Sequence, residues 1–258
     1  MIRIRLLGGF SIEGPPGVPT PRLPQRRAGA ALAVLAVCGD LGCTRERLIA
    51  LLWPEADESS ARHNLRDALH AIRRALGSNA VSSMADVVSL ELAAVTSDAQ
   101  QFSAALNAGR LSEAVAAYRG PLLDGVHIDG APEFERWVDD ERARLHRECI
   151  EAVKRLAKAA EIEGRWDAAS EWWARAVALD RYNTRFVVRR MVALARAGDR
   201  ANAIIEGEAH CQLLKAELDL EPDEAFHEEL RRIRNLGLGA AGFFTPEFPR
   251  PNPPETEP

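Results

Sequence analysis

The chain has 258 residues, of which 47% are hydrophobic and 28% charged, with a formal net charge of −5. This is the composition of a folded globular protein of one to two domains, and it excludes a chain dominated by disorder. No uninterrupted apolar run approaches the roughly 20 residues that span a membrane. The opening Met1-Ile-Arg-Ile-Arg-Leu-Leu7 is too short, and too often interrupted by Arg, for a signal peptide, so a cytoplasmic protein with no membrane partner is expected.

In chain order, residues 2–13 alternate Ile2, Ile4 and Leu6 with Arg3 and Arg5, the pattern of a half-buried strand. Gly8-Gly9 marks a bend or bulge, after which Phe10 and Ile12 resume the alternation, so a small N-terminal sheet is expected. Residues 14–24 are rich in Pro and Gly and read as a turn or loop. Residues 25–38, apolar on most sides, predict a buried helix with Arg26 and Arg27 at its exposed start, followed by a loop over 39–43.

Residues 44–76 predict two consecutive amphipathic helices. In the first, Thr44 is suited as N-cap, Glu46 lies in the first turn, Leu48, Leu51, Leu52 and Trp53 form an apolar face, and Pro54 ends the segment. Asp57 or Ser59 caps the second, where Leu65, Ala68, Leu69, Ile72 and Leu76 form one stripe at helical spacing. Its opposite face carries Arg62, His63, Arg66, His70, Arg73 and Arg74 with one acid, Asp67. Arginine bonds phosphates and guanine edges bidentately, and a bracing helix followed by a basic one is the order of a helix-turn-helix. The other reading of such a face is plain solvated charge. Charge distribution bears on the choice: residues 1–95 hold 11 Arg and no Lys against 9 acids, a balance of +2, which leaves −7 for residues 96–258. Attraction to phosphate depends on the charges set against it, so an acidic carrier behind a basic reader is compatible with DNA binding.

After Gly77 the sequence to Ala85 is polar and irregular, and Val88, Leu90 and Leu92 alternate as a short strand. Helices followed by a strand pair are the order of a winged helix. From residue 96 the pattern is almost continuous helix, near 98–107, 110–119, 132–163, 166–179, 183–197, 200–218 and 223–235. In the long one, Phe134, Trp137, Leu145, Cys149, Val153, Leu156 and Ala160 keep near one stripe. Gly164-Arg-Trp-Asp-Ala-Ala169 and Gly198-Asp-Arg-Ala-Asn-Ala203 lie 34 residues apart, the period of tetratricopeptide hairpins, and Gly109 to Ala114 is an out-of-phase echo. Ala169, Trp173 and Ala176 supply the small-large-small contacts of the first copy, and His210 replaces the last Ala in the second. From Gly237 the chain turns to Gly and Pro, with six Pro in the final 13 residues, so an extended or disordered tail or linker is expected, in which Phe243, Phe244 and Phe248 are the apolar residues.

Cys38, Cys43, Cys149 and Cys211 are scattered and read as reduced thiols in or near the core. His63 and His70 share a helix face but lack a third ligand, so no metal and no cofactor is expected. There is no Gly-x-x-x-x-Gly-Lys loop and no Gly-x-Ser-x-Gly elbow, and Asp139, Asp140 and Glu141 read as the solvated side of a helix, so the chain is not read as an enzyme.

Taken together, Ile4-Arg-Leu-Leu-Gly-Gly-Phe10, Leu48 to Trp53 and the run from Ala61 to Gly77 resemble the OmpR-like winged helix of the Streptomyces antibiotic regulatory protein family. Tyr118-Arg-Gly-Pro-Leu-Leu123, Pro132 to Val138 with Glu141-Arg142, and Glu217 to Pro222 resemble that family's bacterial transcriptional activation domain. The resemblance implies a mainly α protein: an N-terminal winged helix-turn-helix with small β-sheets over 1–95, an all-α tetratricopeptide-like domain over 96–235, and a tail over 236–258. It also implies a sequence-specific activator that binds promoter repeats in double-stranded DNA, as side-by-side protomers or a homodimer, and contacts RNA polymerase. Carried over by position, the recognition helix offers Arg62, His63, Arg66, His70, Arg73 and Arg74 to DNA. The expected wing departs from the family, since residues 82–92 contain no Gly, Lys or Arg. Affinity then rests on the helix and on Arg26, Arg27, Arg45 and Arg47. The alternative class is a helical-repeat interaction or signalling scaffold whose winged helix does not read DNA, favoured by the acidic total and the poor wing and opposed by the Arg-dense helix.

Overall fold

In a computed structural model, the N-terminal alternation folds as β1 (Ile2–Arg5) and β2 (Ser11–Glu13), antiparallel with Ile4 opposite Ile12. The structure describes residues 2–14, 23, 25–91 and 93–236. Most of the Pro/Gly loop, Leu92, and the tail with Phe243, Phe244 and Phe248 therefore lie outside the described residues. The turn between the strands is made at Gly8 (φ 92°) and Gly9 (φ 127°), positions that a residue with a Cβ rarely adopts.

The chain divides into two compact units, Met1–Arg181 and Tyr182–Pro258. In the first, α1 (Arg26–Cys38) buries Ala28 and every residue from Ala30 to Ala36. Small alanines let α3 (Glu58–Leu76) and α2 (Arg45–Leu52) approach it closely. Two strands escape the sequence reading. Cys43, expected as the end of a loop, forms β3 together with the capping residue Thr44, and Val95–Ser97 is β6, which pairs parallel to β1 with Ser97 beside Ile4. At two and three residues both are too short to carry an alternation, and only the tertiary partner makes them strands. The stretch after Gly77 is likewise more regular than its polarity suggests: β4 (Val81–Met84) pairs antiparallel with β5 (Val87–Leu90), and β3 completes the order β3-β5-β4.

Beyond β6 come α4 (Asp98–Asn107) and α5 (Leu111–Ala117), then the long α6 (Pro132–Ile162) and α7 (Trp166–Leu179). The expected stripe of α6 is buried except for Leu156, which is half-buried, and Val138, Ala152 and Ala157 widen it. Ala169, Trp173 and Ala176 are buried where α7 packs on α6, and Trp173 Nε1 donates to Glu161 at 2.7 Å. Asp139 and Asp140 are exposed, and Glu141 is paired with Arg144 at 2.7 Å. All four cysteines are free, Cys43 and Cys149 buried and Cys38 and Cys211 half-buried.

A buried carboxylate joins the first sheet to α4. Asp98 accepts from the Leu6 and Ala99 amides through Oδ1 (2.8 and 2.9 Å) and from the Leu7 amide through Oδ2 (3.1 Å). Burial pushes its carboxyl above the ordinary range, against the three donors that favour its charged form. Ser97, also buried, caps α4 by accepting from Gln100 N (3.1 Å) and donates to the Ala36 carbonyl of α1 (3.3 Å). On the far side of β1, Gly8 N donates to Pro121 O (2.9 Å) and Leu123 N to Leu6 O (2.7 Å). Arg142 of α6 grips the same segment, its Nε on the Leu122 carbonyl (2.7 Å) and its Nη2 on that of Leu123 (2.9 Å).

The second unit holds α8 (Thr184–Arg196), α9 (Arg200–Leu218) and α10 (Glu224–Asn235). Gly207 of α9 lies where a Cβ would come within 3.0 Å of both Leu230 and Met191, so three helices meet at a residue without a side chain. His210, at the position an alanine holds in the first repeat copy, is buried with its Nε2 3.0 Å from Thr184 Oγ1 and its ring 5.7 Å from Phe226. The larger side chain is accommodated because it finds both a polar partner and an aromatic one. The Glu217-to-Pro222 motif closes α9: Asp219 turns left-handed (φ 52°) and Leu220 N reaches Leu214 O at 3.2 Å.

Two outcomes follow from these buried groups. Asp98→Asn puts an amide N–H where a backbone N–H needs an acceptor, so stability should fall by about 1–3 kcal/mol in chemical denaturation; an unchanged midpoint contradicts the role given to the carboxylate. Burial lowers the His210 pKa below 6.5. A base depressed in the folded state stabilises it above its unfolded pKa, and that contribution is lost as pH falls through the folded value. The unfolding midpoint should therefore drop between roughly pH 7 and pH 5 more steeply in the wild type than in His210→Gln, and parallel curves would refute it.

Candidate nucleic-acid interface

The candidate interface lies on α2 and α3. Thr44 Oγ1 accepts from Arg47 N at 3.2 Å and caps α2, which ends at Leu52 with Trp53 buried behind it. Asp57, and not Ser59, caps α3: its carboxylate accepts from Ser60 N at 3.0 Å and from the Ser59 hydroxyl at 2.7 Å. Those hydrogen bonds, with Ser60 first, hold the Asp57 carboxyl well below the usual range, so the cap stays charged at the positive end of the helix. Ala61, Leu65, Ala68, Leu69, Ile72 and Leu76 are buried, which turns the opposite face outward.

That face is not uniform. Arg62 is ion-paired with Glu58 one turn earlier, and His63 Nε2 lies 3.3 Å from Asp67. Arg66, His70 and Arg74 are exposed and have no hydrogen-bond or ion-pair partner among the described residues. Arg73 is half-buried and engaged: its Nε donates to the Val81 carbonyl (3.4 Å) and its Nη2 to Ser83 Oγ (3.0 Å), tying α3 to strand β4. Helical spacing alone set Arg73 beside the others; what distinguishes it is the strand packed against its end of α3.

The four flanking arginines are not gathered onto one patch. Arg45 and Arg47 begin α2, where Arg45 N donates to Asp86 O at 2.9 Å and so links that helix start to the β4–β5 turn. Arg27, by contrast, donates to the Asp129 and Gly130 carbonyls (3.2 and 3.4 Å), and Arg26 lines a cavity with Phe10, Leu123 and His127. Both are thus at the end of α1 that meets the loop before α6. The β4–β5 turn presents Met84, 80% exposed, then Ala85 in a left-handed conformation (φ 51°) and Asp86, so its tip carries no cation. Among the described residues no group of His, Cys, Asp or Glu is arranged to hold a metal, and no helix is long and apolar enough to cross a membrane.

Three packed helices, the third of them capped and basic, and a β-hairpin define a winged helix-turn-helix, here continued into helical hairpins. The profile of the bacterial transcriptional activator domain family matches residues 85–234, and the chain belongs to that family. Its architecture is that of the Streptomyces antibiotic regulatory protein-like regulators that its motifs resemble. Among solved structures, Mycobacterium tuberculosis EmbR, in complex with a low affinity phosphopeptide, is similar at a TM-score of 0.59 and 21% identity over 91% of this chain. The alignment covers 65% of EmbR, so the chain spans less than two thirds of that protein's length. A search of curated proteins found no match.

The two kinds of arginine on α3 separate in stability measurements. Arg73→Ala removes bonds to the strand and should cost about 0.5–1.5 kcal/mol, whereas Arg66→Ala should stay within about 0.5 kcal/mol of wild type. Equal effects in urea denaturation would show that Arg73 does not brace the hairpin.

Proposed function

We propose that this chain is a sequence-specific, double-stranded DNA-binding activator of transcription that works in the cytoplasm, with residues 1–95 as the reading segment and 96–235 as the segment that contacts RNA polymerase. The single observation that carries the proposal is the row of Arg66, His70 and Arg74, exposed and without hydrogen-bond or ion-pair partners among the described residues, on a helix whose other face is buried. Guanidinium groups left free of carboxylates are available for bidentate bonding to guanine or phosphate. Arg62 and His63 reach DNA only by exchanging exposed acidic partners, which costs little at the surface. Arg73 contributes through the hairpin it braces, and Arg45 and Arg47 stand at the start of α2, where backbone contacts to phosphate are made in helix-turn-helix proteins. Arg27, occupied by carbonyls of the loop before α6, and Arg26, which lines the cavity at that loop, have the smaller part. Protomers set side by side on repeated sites are part of the same proposal, and no cofactor or catalytic step is.

A second reading, a helical-repeat scaffold in which the winged helix makes protein contacts, is favoured by the hairpin tip, where Met84 is exposed and Asp86 is the charged residue. One experiment separates the two. Sequences selected by the full chain from a random duplex pool should converge on a repeated motif. On that motif, Arg66→Ala and Arg74→Ala should each weaken binding about 5- to 150-fold, the worth of a bidentate base contact. Failure to enrich any motif at moderate salt, or unchanged affinity in both variants, favours the scaffold.

A further inference from the structure

We propose that the cleft between β1, α4 and α5 binds a small phosphorylated molecule. The open cleft has a volume of about 470 Å³ and is lined by Arg3 and Arg5 of β1, Arg110 before α5 and Arg119 after it, with Asp98 and Glu113 as the acids. That volume lies within the range of small-molecule sites, roughly 300–1,000 Å³.

Backbone geometry places the four arginines around one cleft. Strand alternation puts Arg3 and Arg5 on the face of β1 opposite the buried Ile4. Gly120 approaches Gly8 so closely that a Cβ on it would come within 3.0 Å of the Gly8 Cα, which sets Arg119 beside the strand. Gln101 and four alanines of α4 and α5 complete the lining, and the small alanine side chains leave room for the body of a ligand.

The charges that line the cleft favour an anionic ligand. Both Asp98 oxygens are occupied by backbone amides. Arg5 is paired with Glu13 at 2.6 Å and Arg110 with Glu113 at 2.8 Å. Arg3 and Arg119 are exposed and have no hydrogen-bond or ion-pair partner among the described residues. Two arginines that line one cleft without a carboxylate partner among the described residues match a phosphate monoester, which carries about −1.5 to −2 at neutral pH and accepts paired N–H bonds. The cleft lies on β1, α4 and α5 and shares no residue with the α2–α3 face, so it does not depend on how that face is used.

The test is calorimetric titration of inorganic phosphate into the full chain at constant ionic strength, with Arg3→Gln, Arg119→Gln and, as a control outside the cleft, Arg155→Gln. Saturable one-site binding is expected in the wild type and in Arg155→Gln. Arg3→Gln and Arg119→Gln should each weaken it about tenfold or more, as loss of a charge-assisted bond does, with thermal melting unchanged. No saturable binding by the wild type, or equal binding by all four proteins, overturns the proposal. Affinity of the same variants for non-specific duplex DNA supplies the other arm: it should be unchanged, and a parallel loss there would assign the cleft to the DNA backbone instead.

Discussion

The Asp98 carboxylate is the constraint on which the first unit is built. Its two oxygens take the amides of Leu6, Leu7 and Ala99 in a buried setting, where an unmade hydrogen bond costs far more than an exposed one contributes. Because Leu6 and Leu7 continue β1 and Asp98 and Ala99 open α4, these bonds fix the start of the helical region against the N-terminal sheet. Ser97 extends the junction to the end of α1 through the Ala36 carbonyl. The helix-turn-helix and the helical hairpins up to α7 accordingly share one core, and β6, at the junction itself, pairs with the first strand of the chain.

The family motifs make partly buried polar contacts of a similar kind. In Tyr118-Arg-Gly-Pro-Leu-Leu123, the glycine allows the approach to Gly8, and the last two leucines offer their carbonyls to Arg142. A guanidinium fork on two successive carbonyls holds a segment that has no helix or sheet of its own to satisfy it. Leu123 adopts a left-handed conformation there (φ 51°), uncommon for a side chain of that size, which the surrounding bonds enforce.

On the basic helix, position along the chain and position in space assign different work to similar residues. Arg66 and Arg73 lie seven residues apart on one face, yet the first points to solvent and the second reaches a strand. A cation withdrawn to brace the hairpin, and a hairpin tip with none, concentrate the free positive charge on Arg66 and Arg74. The arginines of the β1 cleft form a separate cationic locus, built by strand alternation and a close glycine contact and not by helical spacing.

The winged helix and the helical hairpins were legible because they depend on short-range rules. The apolar stripe from Leu65 to Leu76, the Thr44 cap, the paired glycines after β1 and the 34-residue period are repeated local choices, each written in a few neighbouring residues. Strands β3 and β6 were not legible, since two or three residues hold no period and become strands only through a partner far along the chain. Nor could sequence divide one basic face into free and engaged side chains, place Arg27 on the carbonyls before α6, or turn Asp98 from a helix-start acid into a buried junction. Those outcomes depend on which polar groups meet after the chain has folded, and hydrogen-bond partners separated by 90 or more residues, as Asp98 is from Leu6 and Leu7, leave no local trace.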